Sequence, residues 1–194
     1  GSLAFSQVLP YKRTGSLIVS DTSNDAVYRL TDFNLDGDYN DLSEIIVFFD
    51  DNGNGVANGF KATADARGYV YVSDTTNDII WRLIDLNGDG DAQDAGESNV
   101  YIDLTNASGV AISAVNGITF DSRNEMWLVN AGSSGLDDFI ALCVDNNPND
   151  GDCNDPGEIQ VHFEGLIGGR LGAPFGAIIA PLGDPATDWL LVCD

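Results

Sequence analysis

A thirteen-residue acidic element, used three times, constrains this chain more than any other feature. It reads Asp85-Leu86-Asn87-Gly88-Asp89-Gly90-Asp91-Ala92-Gln93-Asp94-Ala95-Gly96-Glu97, and the same pattern runs from Asp32 to Glu44, 53 residues earlier. A third copy runs from Asp145 to Glu158 and carries one extra residue before Asp150. Five carboxylates in so short a loop repel one another unless a cation gathers them. Oxygens at the first, third and fifth positions, a glycine at the sixth and a late Glu suit a loop wrapped around a hard ion such as Ca2+. The expected ligands are Asp32, Asn34, Asp36, Asp38, Asp41 and Glu44 in the first loop, and Asp85, Asn87, Asp89, Asp91, Asp94 and Glu97 in the second. In the third they are Asp145, Asn147, Asp150, Asp152, Asp155 and Glu158. About three calcium ions are expected, one per loop.

Two details separate this element from a helix–loop–helix hand. The late Glu stands at the thirteenth position rather than the twelfth, which leaves open whether Asp41, Asp94 and Asp155 bind directly or through water. The residue after the glycine (Asp38, Asp91, Asp152) is expected to offer its main-chain carbonyl rather than its side chain.

What surrounds the loops is β-structure. Ser16–Asp21 is a β-branched run, Thr22–Asp25 a polar turn, and Ala26–Leu30 a second strand entering the first loop; Glu44–Phe49 leaves it. The series restarts at Gly59–Ala64, Tyr69–Asp74, Ile79–Leu83 and Asn99–Leu104, and again at Asn116–Asp121, Glu125–Asn130, Asp138–Cys143 and Ile159–Phe163. Phe175–Ala180 and Asp188–Cys193 open a fourth series, and Leu3–Pro10 is an apolar stretch ahead of the first. No segment holds a helical period. Four short strands per unit, repeated every 53 to 60 residues, predict an all-β fold of β-propeller blades. The units are about 3–57, 58–114, 115–173 and a partial 174–194, in one repeat domain over residues 1–194. Each acidic loop joins the third and fourth strands of its unit. Three and a half blades are few for a closed ring, so the chain is expected to be part of a larger propeller or to close against copies of itself.

The charge is consistent with the loops. Of 31 Asp and Glu residues, 15 lie in the three elements, against only eight Lys and Arg in a chain of net charge −23. Three calcium ions would bring this to about −17. A nucleic-acid partner needs a basic stripe, and none exists. No apolar run reaches the roughly 18 residues of a membrane span, so membrane insertion is not expected, and no secretory leader pattern opens the sequence. Cys143 and Cys153 flank the third loop, either as a disulfide or as two free thiols, and Cys193 is left over as buried or paired to another chain. A disulfide and millimolar calcium both suit an extracellular, cell-surface or periplasmic setting.

Several residues have structural readings. Asp21 and Asp74, with Asn24 and Asn77, are expected to cap their turns. Arg29 and Arg82 are expected to pair with a neighbouring acidic loop or turn. Trp81, Trp127 and Trp189 are expected to pack blades together, although an exposed aromatic row would instead suit a carbohydrate- or surface-binding module. His162 is the sole histidine and no G-x-S-x-G surrounds any Ser, so neither a nucleophilic triad nor a histidine zinc site is expected.

The N-G starts at Asn58-Gly59 and Asn116-Gly117, the D-x-R-[GN] turns at Asp65–Gly68 and Asp121–Asn124, and the run Val70–Leu83 (VYVSDTTNDIIWRL) make the sequence similar to the NHL-repeat and gluconolactonase-like group of β-propellers. The resemblance implies a propeller fold. It further implies an alternative function, a metal-dependent hydrolase of the lactonase type in which Asn58 and Asn116 face a central channel. The main expectation is a calcium-stapled structural, assembly or binding module and not an enzyme.

Overall fold

The computed structural model describes residues 15–50, 59–103, 105–132, 138–146, 149–165, 176–180 and 189–193; for Phe60 and for the last two segments other than Gly176 and Val192 it describes the backbone alone. Thirteen strands follow one another: β1 (Leu17–Asp21), β2 (Ala26–Leu30), β3 (Ile45–Asp50), β4 (Gly59–Ala64), β5 (Val70–Asp74), β6 (Ile79–Leu83), β7 (Ser98–Ile102), β8 (Val115–Phe120), β9 (Met126–Asn130), β10 (Phe139–Cys143), β11 (Ile159–Glu164), β12 (Gly176–Ala180) and β13 (Trp189–Cys193). They form antiparallel meanders in the order β1-β2-β3, β4-β5-β6-β7, β8-β9-β10-β11 and β12-β13. The expected strands fall within a residue or two of these, and each acidic loop lies just before the last strand of its sheet (β2–β3, β6–β7, β10–β11). Leu3–Pro10 lies outside the described residues.

The turns have an explicit chemistry. Asp21 Oδ1 accepts the N–H groups of Ser23 and Asn24 while Oδ2 takes Asn24 Nδ2 at 2.7 Å. Asp74 repeats this on Thr76, Asn77 and Asn77 Nδ2. The expected caps are therefore in place, and they drive Asp25 and Asp78 into positive φ (49° and 56°), a region Asp tolerates better than most residues.

Packing is between sheets. Val27, Phe48 and Phe49 of the first sheet close on Val70, Val72 and Leu83 of the second. On the other face, Tyr71, Ile80, Tyr101 and Ile102 close on Val115, Ile118, Met126 and Leu128 of the third. Alternation along β5 sends Val70 and Val72 one way and Tyr71 the other, so all five of its residues are buried. A fully buried Val, Ile or Phe side chain contributes about 1.5–3 kcal/mol. One sheet alone would forfeit that on both faces, which is why the repeats need each other. Trp81 packs half-buried beside Phe49 (ring centroids 6.1 Å apart) and Trp127 beside His162 (5.1 Å), so both serve packing as expected. The Trp189 side chain lies outside what is described.

The last strand of each of the first three sheets (β3, β7, β11) carries a bulge at one equivalent place. The pairing shifts between Val27 and Tyr28 against Phe49 and Val47, leaving Phe48 out of register. Tyr101 is left out in β7 and His162 in β11 in the same manner. A bulge kinks its strand and re-aims the main-chain groups beside it.

Candidate metal loops and the junctions they form

The three acidic loops are built alike. In the first, Asp32 is 7% exposed and Glu44 is 1% exposed. Asp32 Oδ2 accepts Gly37 N–H (3.0 Å), and Glu44 Oε1 accepts the N–H groups of Phe33 and Asn34. Asn34 Nδ2 reaches both Asp36 Oδ2 (3.0 Å) and Asp41 Oδ2 (2.7 Å), drawing two carboxylates to one point. Asp38 turns away to cap Asn40 N–H. The second loop repeats these bonds and adds two: Asp85 Oδ2 holds Gly90 N–H and its Oδ1 holds Gly88 N–H, Asn87 Nδ2 bridges Asp89 and Asp94, Asp91 caps Gln93, and Glu97, 1% exposed, holds Leu86 and Asn87 through Oε1 and Asp94 through Oε2.

In the third loop Asp145 Oδ2 holds Gly151 N–H, Asp152 caps Asn154, and fully buried Glu158 holds the N–H groups of Asn146 and Asp155. Asp150, Asp152 and Asp155 place carboxylate oxygens within 4.8 Å of one another. Asn147 lies outside the described residues. Cys143 and Cys153 are joined by a disulfide across this loop, with Cα atoms 6.3 Å apart.

Some of these carboxylate oxygens have no partner. Asp32 Oδ1, Glu44 Oε2 and Asp145 Oδ1 are buried from solvent and accept no hydrogen bond. A buried carboxylate oxygen left in this way costs a few kcal/mol against its hydrated state. Burial first, then the nearby Glu158 and Asp150, push the Asp145 carboxyl above the usual carboxylate range. None of these groups forms an ion pair among the described residues.

The loops also tie neighbouring sheets, which the sequence did not suggest. The eighth residue of the second loop, Ala92, donates its N–H to Phe48 O (2.8 Å) of the preceding sheet, and Gln93 Nε2 donates to Val47 O. Cys153, the equivalent residue of the third loop, donates to Tyr101 O at 2.8 Å. Both acceptors are the bulge residues of their strands. Asn154 Oδ1 accepts Asp103 N–H, and Ser108 Oγ donates to Asp155 O. A main-chain N–H belongs to every residue but proline, so Ala92 and Cys153 share no side-chain signal that could have revealed the role.

The expected pairing with an acidic loop is present for Arg29, whereas Arg82 reaches the next loop by packing, with no ion pair among the described residues. Arg29 Nη1 donates to Gly90 O (3.4 Å) and lies 4.0 Å from Asp85 Oδ2. The Arg82 guanidinium lies over the Tyr101 ring, 5.8 Å from its centroid, and against Gly151. A Cβ at Gly151 would sit 2.7 Å from Arg82 Nη1, whereas one at Gly37 would meet nothing within 4 Å; both have φ near +100° (96° and 100°). Gly37→Ala is expected to cost about 1–2 kcal/mol of backbone strain. Gly151→Ala should cost about 0.5–1 kcal/mol more, because Arg82 must leave its place over the aromatic face. Paired urea unfolding curves check this; equal losses would show that the arginine contact contributes nothing.

Leu35 presents a further contrast. It adopts φ 61° where the second loop has Gly88 at φ 79°. A non-glycine residue in that region costs about 1–2 kcal/mol, offset in a glycine variant by about 0.5–1 kcal/mol of unfolded-chain entropy. Leu35→Gly should therefore raise stability by about 0.5 kcal/mol, read as a melting-temperature gain of about 1–2 °C.

Of the channel asparagines, Asn58 lies outside the described residues, and Asn116, on β8, is already engaged by a partner.

No protein-family model matches the sequence, and no curated protein is detectably similar to it. Solved structures are similar in shape. Virginiamycin B lyase from Staphylococcus aureus aligns over 91% of this chain and 45% of its own, with a TM-score of 0.55 and 17% identity. A streptogramin B lyase aligns over 91% of this chain and 44% of its own, with a TM-score of 0.53 and 18% identity. Both are β-propellers, of the same general kind as the NHL and gluconolactonase-like proteins. The fold is that of a β-propeller. Its sheets are blades, and the chain spans a little under half the length of these neighbours. Identity this low carries the fold and not the activity.

Proposed function

We propose that the chain is a calcium-binding β-propeller module acting in assembly or binding on the outside of the cell, with one Ca2+ in each acidic loop. The observation that supports it is the set of buried, unpartnered carboxylate oxygens on Asp32, Glu44 and Asp145, inside loops already rich in converging acids. Hydrogen bonds from within the protein satisfy neither these atoms nor the repulsion around them. A hard divalent cation would satisfy both.

The donor set fits calcium. Carboxylate, amide and main-chain carbonyl oxygens are its preferred ligands, and the loop can offer six or more of them. Asp32 and Asp145 each retain a second carboxylate oxygen beside the one held by the glycine N–H, whereas both oxygens of Asp85 accept loop amides, from Gly88 and Gly90. A half-turn of the Asn34 or Asn87 amide exchanges its nitrogen for an oxygen at the point where two carboxylates already meet. Positive charge held there would fix the loop, and with it the N–H groups of Ala92 and Cys153 that reach the preceding blade. Calcium would thus act on blade-to-blade stability as much as on each hairpin. The extracellular assignment is supported by the Cys143–Cys153 disulfide, since such bonds persist in oxidising compartments.

Calorimetric titration of the chelator-stripped protein with CaCl2 is the test. Binding of about three ions is expected, with Asp85→Ala and Asp145→Ala each removing one. Absence of binding would leave the loops as solvated hairpins and end the proposal.

A further inference from the structure

The two D-x-R-[GN] turns stand at equivalent places, and each carries an arginine to a gap between blades. Asp65 Oδ1 accepts the N–H groups of Arg67 and Tyr69, and Asp121 Oδ1 those of Arg123 and Glu125, so each turn is held by its own aspartate. Arg67 lines a cleft of about 320 Å³ between the first and second blades, together with Arg29 and Asp85. Arg123 lines one of about 230 Å³ between the second and third, together with Arg82 and Asp145. The bulge residues Phe48 and Tyr101 line their respective clefts, and Arg67 reaches the second as well. Each cleft thus joins the same four positions of the repeat.

The chain carries a net charge of −23, yet its positive charge gathers here. Of the Lys and Arg among the described residues (Arg29, Lys61, Arg67, Arg82 and Arg123), all but Lys61 line the two clefts. Contacts within the protein do not use up these guanidinium groups. Arg82 Nε is buried with no hydrogen-bond partner. Arg67 Nε lies 3.6 Å from Asp65 Oδ2, beyond a hydrogen bond, on a side chain that is 66% exposed. Arg29 Nη1 stands 4.0 Å from Asp85 Oδ2 and 3.4 Å from Gly90 O, both at the limit of contact. A guanidinium presents five N–H donors in a fixed fork, and a carboxylate matches that fork with two oxygens. The same clefts carry acids, Asp85 in the first and Asp145 and Glu125 in the second. These accept hydroxyl donors and repel a dianion such as phosphate.

We propose that the two clefts are equivalent binding sites for a sugar acid, a carboxylate of single negative charge that also carries hydroxyl groups. Its carboxylate is taken by the paired guanidinium groups, Arg29 with Arg67 in one cleft and Arg82 with Arg123 in the other. Its hydroxyls donate to the acid of the same cleft. This gives the binding role proposed above a ligand class and rests on that role, but it stands on the arginines and not on calcium. Both clefts lie between blades, so a bound ligand spans two sheets and stabilises their junction.

An NMR titration of the ¹⁵N-labelled chain in calcium-containing buffer tests it, with sodium glucuronate as the probe. Glucose, which has CH2OH where glucuronate has its carboxylate, is the control. Glucuronate should shift the amides of Gly68 and Ile84 at the first cleft and of Asn124 and Val144 at the second, and glucose should shift neither set. Arg67→Gln alters an exposed side chain, so the fold should survive; it should weaken binding about tenfold or more while the calcium count stays at the wild-type value. Arg29→Gln should silence the first cleft alone. A hyaluronan hexasaccharide, with the same uronate inside a chain, identifies the source: tighter binding than glucuronate points to an acidic polysaccharide, weaker binding to a free sugar acid. Silence at both clefts in millimolar glucuronate would overturn the proposal. So would an equal response to glucose, wild-type affinity in Arg67→Gln, or inorganic sulfate displacing glucuronate at lower concentration. Glucuronate binding in a chain that takes up no calcium would remove the calcium reading and leave this one standing.

Discussion

Withdrawing the calcium proposed for the acidic loops is expected to lower the melting temperature by roughly 15–30 °C. A site filled at about a hundred times its dissociation constant stabilises the folded state by about 2.7 kcal/mol, so three independent sites amount to roughly 8 kcal/mol. In a chain of this size about 1 kcal/mol shifts the melt by 2–4 °C. Native proteins hold only about 5–15 kcal/mol in all, so the stripped chain should stand close to unfolding. Charge adds to the effect, since 15 of the 31 acidic side chains lie in these loops. Two controls separate ligation from screening. Sodium chloride at matched ionic strength damps repulsion between exposed carboxylates but cannot satisfy Asp32 Oδ1 or Asp145 Oδ1, so it should restore only a small part of the loss. Magnesium, which demands a tight octahedral shell and keeps its water, should restore less than calcium. Full recovery in sodium chloride alone would show that the loops are solvated hairpins.

The consequence extends beyond the loops themselves. Ala92 and Cys153 can reach the preceding blade only if the turn that carries them keeps its shape, and that turn is held by Asp85 and Asp145 through the N–H groups of Gly90 and Gly151. Arg29 and Arg82 press on the same glycine positions from the other side of the junction. A cation in the loop therefore bears on both halves of the contact. Local loosening of one loop should open a junction between blades, and hydrogen exchange at Ala92 and Cys153 should rise together with exchange in the loop when calcium is withdrawn.

How much of this was legible depended on whether a side chain or the backbone carried the information. The strands could be read because β-branched and aromatic runs alternate with Asp- and Asn-led turns; Asp21 and Asp74 are visible in the sequence as the residues that end β1 and β5. The 53-residue spacing of the first two loops located each loop within its blade. The cysteines flanking the third loop suggested a disulfide but left free thiols open, because only the fold brings their Cα atoms within bonding reach. The bulges at Phe48, Tyr101 and His162 were hidden, since Phe, Tyr and His have nothing in common that marks an extra residue in a strand. The junction bonds were hidden for the same reason, being made by N–H groups. The late Glu was read as a metal ligand from its spacing. Its second role, as acceptor for several loop amides, needed coordinates.

That second role gives the strongest single-residue expectation: Glu97→Ala should destabilise the protein by roughly 3–4 kcal/mol. Glu97 is 1% exposed, and its two oxygens take the N–H groups of Leu86 (2.8 Å), Asn87 (3.2 Å) and Asp94 (3.2 Å). Each buried donor left without an acceptor costs about 1–3 kcal/mol; Leu86 and Asn87 are exposed residues that water can reach in part, which places each donor near the lower end. Glu97→Gln keeps one acceptor oxygen but faces an NH2 group toward a donor, so a loss of about 1–2 kcal/mol is expected. Measuring both variants in calcium and in chelator separates the two roles. If Glu97 only organises the loop, the loss will be the same in both buffers. If it also ligates the ion, as its counterpart Glu44 with an unpartnered Oε2 suggests, the loss in calcium will be the larger. A variant as stable as the wild type in chelator would mean that these amides find water instead, and that the thirteenth position is occupied by Glu for the metal alone.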